Sequence, residues 1–178
     1  MTVNSESFLK ELRTICDDVI TDTSRLKVYE TDGLTAKRQL PAVVVIPSQV
    51  DQVQAVVRLC HQHGVPLVAR GAGTGLSGGA MPHEKGVLLV MAKFNQIISV
   101  DKTGMTACVQ PGVTNLSITE AVADLGFYYA PDPSSQIACT IGGNVAENSG
   151  GVHCLKYGLT VHNVQSVKVV LADGELTT

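Results

Sequence analysis

Two glycine-rich stretches constrain this chain more than any other feature, because a backbone stripped of side chains is ordered only where something must lie against it. The first is Arg70-Gly71-Ala72-Gly73-Thr74-Gly75-Leu76-Ser77-Gly78-Gly79. The second is Ile141-Gly142-Gly143-Asn144-Val145-Ala146-Glu147-Asn148-Ser149-Gly150-Gly151, with Gly158 a little beyond. Together they hold ten of the chain's 17 glycines. Ordering a glycine costs roughly 0.5–1 kcal/mol more than ordering an alanine in regular structure, so ten put about 5–10 kcal/mol at risk, the scale of a domain's net stability. Such a concentration points to a flat, phosphate-bearing ligand held by two backbone cradles.

The bulk composition excludes several classes. At 178 residues, 44% hydrophobic and 16% charged, the chain reads as globular and able to bury a core without disulfides or metals. A net charge of −3 with no basic cluster argues against a nucleic-acid surface. The longest apolar run, Gly86 to Ala92, is too short to cross a bilayer, and the first twenty residues carry no signal-peptide core, so a cytoplasmic location is expected. Cys16, Cys60, Cys108, Cys139 and Cys154 are odd in number and lack CxxC spacing, which suits reduced thiols used as small core residues and no metal site.

Apolar residues from Phe8 to Ile20 recur at helical spacing and predict an opening helix over 5–20, followed by a polar, irregular arm to Leu40. Pro41 introduces Ala42-Val43-Val44-Val45-Ile46, a buried strand. Ser48 with Asp51 marks the start of a helix that Gly64 ends. Val65 to Ala69 and Gly86 to Met91 read as two further strands. Ile97 to Val100 and Met105 to Val109 read as strands joined by a turn at 101–104. Thr114 or Asn115 caps a helix closed by Gly126. Pro131 to Ser135 is an ordered loop. Gln165 to Ala172 predicts a strand, and Asp173-Gly174 a hairpin whose partner strand barely begins, as if the chain were the N-terminal piece of something longer. The expected divisions are an N-terminal helix and arm over 1–40, a first α/β lobe over 41–92, and an incomplete second lobe over 93–178.

Gly73-Thr74-Gly75-Leu76-Ser77-Gly78 satisfies G-x-G-x-x-G, but the dinucleotide fingerprint needs a helix to start there and receive the pyrophosphate. Gly79 to Gly86 has no helical periodicity and contains Pro82. No acidic residue stands about 20 positions on at a strand end to hold a ribose. A P-loop would need Gly-Lys-Ser/Thr, which is missing. The physics left is a nest, in which successive backbone amides converge on an anion, with Arg70 adding charge from the strand exit. A solvated glycine turn is the plain alternative.

Four segments in order narrow the reading. They are Pro41 to Pro47 with Pro66 to Gly79, Pro131 to Ser135, Thr140 to Gly151, and Val152-His153-Cys154-Leu155-Lys156-Tyr157-Gly158 with Val169 to Gly174. Together they resemble the FAD-binding domain of the vanillyl-alcohol oxidase/PCMH flavoenzymes, and within it the branch acting on small 2-hydroxy acids such as glycolate and D-lactate. The resemblance implies a two-lobed α+β fold: a small β-α-β lobe, a larger and mainly antiparallel sheet lobe, and FAD between them. It implies that Arg70, Gly71, Ala72, Gly73, Thr74, Gly75, Leu76 and Ser77 wrap the pyrophosphate. Pro131, Ser135, Ile141, Gly142, Gly143 and Asn144 would line the other wall, with Asn148, Gly150, Gly151 and Gly158 close to the flavin or its ribityl chain. Some family members attach the flavin covalently through a histidine near the position of Thr74, so non-covalent FAD is expected here. The resemblance also implies a partnership with iron–sulfur and second flavin-domain subunits, through which a protein without direct membrane insertion could associate with a membrane.

His61 and His63 are two apart on a helix and face differently, so they cannot share a metal. His153 is the histidine nearest the implied flavin, where it either contacts the cofactor or shapes the site. No catalytic residue is named, because the resemblance puts the substrate-binding groups beyond residue 178. An FAD-dependent 2-hydroxy-acid oxidoreductase module, a non-catalytic fragment and a Rossmann-like NAD binder all stay open at this point.

Overall fold

The computed structural model describes residues 3–178. The chain opens with α1 (Glu6–Ile15), β1 (Val19–Ile20) and a single-turn helix, α2 (Thr23–Leu26). Ser5 starts α1 by accepting the Phe8 amide at 3.4 Å, and Phe8 and Leu12, one turn apart, are fully buried. The predicted helix over 5–20 stops five residues early. Val19 and Ile20 instead pair antiparallel with Val45 and Val44, where their β-branched side chains join a sheet.

That sheet is completed by β2 (Val43–Val45), β3 (Leu67–Arg70) and β4 (Val87–Val90), with α3 (Val50–His63) as the crossover between β2 and β3. The strand order is β1-β2-β4-β3. Leu88 pairs with Val44 on one side and Val68 on the other, both in parallel register, so it sits at the centre of the sheet. It is fully buried and clusters with Ile20, Leu26, Val44 and Val90. The start of α3 differs slightly from expectation: Gln49 is the cap residue, and Gln52 Oε1 accepts the amides of Ser48 and Gln49. Gly64 ends the helix in the left-handed region, at φ 61°.

Two compact units are present: one runs to Lys93 and takes back Ser166–Thr178, and the other is Phe94–Gln165. The arm before Pro41 belongs with the first unit, since β1 is part of its sheet. The sequence reading put 166–178 in the second lobe. In the structure this segment packs on α3, where Gln54 Nε2 and Arg58 Nη2 donate to the Gly174 carbonyl at 3.0 and 2.9 Å. The strand expected over 165–172 shrinks to Val169–Val170, because among the described residues it pairs only with Leu176–Thr177.

In the second unit β5 (Ile97–Asp101) and β6 (Thr106–Val109) form an antiparallel hairpin, its turn held by Asp101 Oδ1, which accepts the amides of Thr103 and Gly104. α4 (Asn115–Val122) starts on Thr114, whose Oγ1 accepts the Ser117 amide. α5 (Ile141–Glu147) and the single-turn α6 (Cys154–Tyr157) follow, and the two short strands of the first unit, β7 (Val169–Val170) and β8 (Leu176–Thr177), close the chain. α5 was not expected, for the glycine pair within it reads as a loop. Gly142 is needed there for close packing: a methyl at its Cα would lie 2.7 Å from Pro111 Cβ. The α+β class holds.

Candidate functional site

In the first unit β3 ends on Arg70, and no helix begins anywhere between Gly71 and Gly86. The loop turns through Gly73 and Gly78, at φ 75° and 82°, conformations that side-chain-bearing residues rarely adopt. Among the described residues nothing accepts a hydrogen bond from the amides of Gly71, Ala72, Gly73, Thr74, Gly75 or Leu76. Consecutive amides without internal acceptors, with no helix behind them, are the makings of an anion nest. The Rossmann alternative fails here on the helix it requires.

Arg70 itself faces inward. It is 7% exposed, and its Nη1 donates to the carbonyls of Ala80 at 3.0 Å and Tyr29 at 3.4 Å. Its guanidinium lies 5.9 Å from the Tyr29 ring centroid, within cation–π range. A methyl on Gly73 would come within 2.5 Å of Arg70 Cζ, so the loop rests on the guanidinium. Burial pulls the Arg70 pKa down, while Asp32 and Tyr29 act against that pull. The sequence reading treated the arm around Asp32 as irregular and missed it. Asp32 is 6% exposed, and its carboxylate accepts the amides of Gly78 and Leu34 at 3.0 and 3.1 Å. The Asp32-Gly33 pair, a turn dipeptide in a polar stretch, was the available signal.

In the second unit Asn115 is the organiser. Its backbone amide donates to the Cys139 carbonyl and its Nδ2 to the Pro131 carbonyl, both at 3.0 Å, so one fully buried residue holds both ends of the 131–139 loop. The Ser135 carbonyl accepts the amides of Ala138 and Cys139 and tightens that loop. The first two amides of α5, those of Ile141 and Gly142, are taken by the carbonyls of Val113 and Pro111 at 2.8 Å each. The start of α5 is therefore occupied internally. Asn148 ends α5 at φ 52°, and its Oδ1 accepts the Val161 amide. Gly158 caps α6, and Gly151 presses on the backbone of Asp132. His153 Nδ1 pairs with Asp132, and His63 packs edge-on against Phe8 at 5.7 Å.

Four buried polar atoms of this unit have no hydrogen-bond partner among the described residues: Asn115 Oδ1, Tyr129 Oη, Thr140 Oγ1 and Asn144 Nδ2. Buried groups of this kind are nearly always satisfied, so an orphaned acceptor, two hydroxyls and an amide donor in one unit call for an external partner. Sequence reasoning named Asn144 and missed Asn115, Tyr129 and Thr140; Asn115 read as a candidate helix cap, although Thr114 takes that position. The orphaned atoms suit the polar groups of a flavin and its ribityl chain. The unpaired amides of the first unit suit a pyrophosphate. The residues present thus fit FAD.

Of the cysteines, Cys16, Cys60 and Cys139 are buried, but Cys108 is exposed and departs from the expected core role. Among the described residues no group of histidine, cysteine and carboxylate side chains could hold a metal ion, and no helix is long and apolar enough to cross a membrane.

An α+β chain with an amide nest after a parallel strand, and buried unpaired polar atoms in its second unit, is a nucleotide-cofactor-binding protein of non-Rossmann type. Comparison with known proteins gives the family: the model of an FAD binding domain matches residues 41–178, and the chain belongs to that family, the PCMH type. FAD is its cofactor. The glycolate oxidase subunit GlcD of Escherichia coli K12 is 63% identical over 150 residues, covering 84% of this chain and 30% of that protein. D-2-hydroxyglutarate dehydrogenase of Stutzerimonas stutzeri is 35% identical over 172 residues, covering 96% of this chain and 37% of that protein. Among solved structures, an alkyldihydroxyacetonephosphate synthase superposes with a TM-score of 0.76 at 26% identity, covering 88% of this chain and 32% of that one. The chain spans about a third of the length of these relatives.

Proposed function

We propose that this chain is the FAD-binding part of a flavin-dependent 2-hydroxy-acid dehydrogenase that oxidises glycolate to glyoxylate. The observation that carries the reading is the run of unpaired amides from Gly71 to Leu76, in a chain 63% identical to a glycolate oxidase subunit over most of its length. FAD, when bound, supplies the two-electron acceptor for the oxidation of the hydroxyl-bearing carbon.

The chain's own residues contribute binding and orientation. The amides of Gly71 to Ser77 would hold the pyrophosphate through their dipoles, with Arg70 beneath Gly73 supporting the loop. Asn115, Thr140 and Asn144 would hydrogen-bond the polar parts of the flavin, which ends their unsatisfied burial. Pro131, Ser135, Ile141, Gly142 and Gly143 shape that wall, while Asn148, Gly150, Gly151 and Gly158 keep its backbone close-packed. With Thr74 where some family members carry a histidine, the cofactor is held without a covalent bond.

The relative's description as a subunit supports assembly with partners, for which an iron–sulfur subunit and a second flavin-domain subunit are the expected kinds. Reduction of an artificial electron acceptor by the full-length protein tests the substrate. Glycolate is expected to give a higher kcat/KM than D-lactate or D-2-hydroxyglutarate. A preference for either of the others would reassign the substrate, and inactivity on all three would refute the reading.

A further inference from the structure

The loop read as the pyrophosphate cradle sits above two buried ionic groups, one of them an acid. A carboxylate beneath a phosphate site is unfavourable unless it does something for the site. Asp32 Oδ2 accepts the amide of Gly78 at 3.0 Å, at the far end of the loop, while Oδ1 accepts Leu34 and fixes its own segment. The next residue grips the middle of the loop: the Gly33 amide donates to the Gly75 carbonyl at 3.0 Å. The approach is so close that a methyl on Gly33 would lie 2.5 Å from the Thr74 carbonyl oxygen. Arg70 braces the same loop from within, under Gly73 and at the Ala80 carbonyl.

We propose that Asp32, together with Arg70, is a positioning residue that sets the loop 71–79 in its cofactor-receiving shape before FAD arrives. The proposal rests on the reading of that loop as the FAD pyrophosphate cradle. Burying two opposite charges adds little stability compared with an apolar pair of similar volume, so stability alone is a poor reason to keep them. The two charges offset one another, which leaves attraction for the pyrophosphate to the amide dipoles. Asp32 occupies the Gly78 amide and leaves those of Gly71 to Leu76 for the ligand. A loop ordered in advance does not charge its ordering entropy against binding.

The test uses the full-length protein and the variant Asp32→Asn, with FAD affinity read from flavin fluorescence and the bound pyrophosphate from its 31P resonances. Asp32→Asn is expected to bind FAD about ten-fold more weakly, the size of one lost charge-assisted hydrogen bond, and to shift the 31P resonances. A merely structural role would leave the 31P resonances of the bound cofactor in place. A folded Asp32→Asn protein with unchanged affinity and unchanged 31P resonances overturns the proposal alone. A wild-type protein that takes up no FAD overturns the cradle reading and the proposal with it. If Asp32→Asn fails to fold, hydrogen exchange of the Gly78 amide in FAD-free wild type decides. Protection before FAD is added supports the preset loop, and protection only after FAD is added overturns it.

Discussion

His153 Nδ1 lies 2.6 Å from Asp132 Oδ2, and the His153 amide donates to the other oxygen of the same carboxylate at 3.3 Å. Asp132 stands between two prolines in the 131–135 loop, and His153 follows the Gly150-Gly151 pair, so this one carboxylate ties together two segments of the candidate flavin wall. The hydrogen bond from the His153 side chain is the main cause holding the Asp132 pKa below its ordinary 3.8.

The sign of the resulting pH dependence follows. A carboxylate whose folded pKa is depressed contributes stability that is fully present above its unfolded pKa and lost as pH falls through the folded one. The tie is therefore expected to survive at pH 4 and to release only below 3.8. A 13C titration of the Asp132 carboxyl is expected to show a midpoint under 3.8, and a midpoint at or above that value would contradict the tie.

Gly73→Ala is expected to damage the first cradle from inside. Its φ of 75° alone costs an alanine about 1–2 kcal/mol, and the new methyl must also displace the Arg70 guanidinium. Urea unfolding of the FAD-free variant should show at least that loss, together with weakened FAD uptake. Wild-type values for both would mean that the loop does not rest on Arg70.

Leu88→Ala addresses the sheet that aims the loop. Leu88 is fully buried between Val44 and Val68, so the truncation leaves a cavity at the centre of the sheet and should cost about 2–5 kcal/mol. The same change at Leu155, which is 99% exposed, should stay within about 0.5 kcal/mol in a paired unfolding experiment.

The thiols should separate by burial. Desolvation pushes Cys60 up to about 12, whereas Cys108 is open to solvent. Only the thiolate reacts with alkylating reagents. Iodoacetamide at pH 8 is expected to modify Cys108 in the native protein and to spare Cys60 until denaturant is added. Mass mapping of the labelled peptides gives the answer directly.

Much of this fold could be read from local chemistry. Gly64 and Gly126 end helices in the left-handed conformation that their positions suggested, and Asp173-Gly174 makes the expected turn. Those signals are local, and so is the valine run of β2. What escaped the sequence depended on partners distant along the chain. α5 forms across Gly142-Gly143 because Pro111 demands a surface without side chains, which helix propensity does not encode. Val19 and Ile20 leave the opening helix because β2 offers them a sheet edge. At the candidate site the glycines mark the loop in the sequence, but Asp32 lies 46 residues from the Gly78 amide that it holds. The orphaned atoms of Asn115 and Thr140 were equally hidden, since Asn115 reads as a candidate helix cap and Thr140 precedes a helix that the sequence does not announce.

The central claim is that the amides from Gly71 to Ser77 receive the pyrophosphate of FAD. Hydrogen–deuterium exchange of the full-length protein with and without FAD tests it most directly, with ADP as the probe for the pyrophosphate end alone. Slowed exchange across 71–77 on adding FAD, reproduced by ADP, is the predicted result. Bound FAD that leaves exchange across 71–77 unchanged would contradict the account.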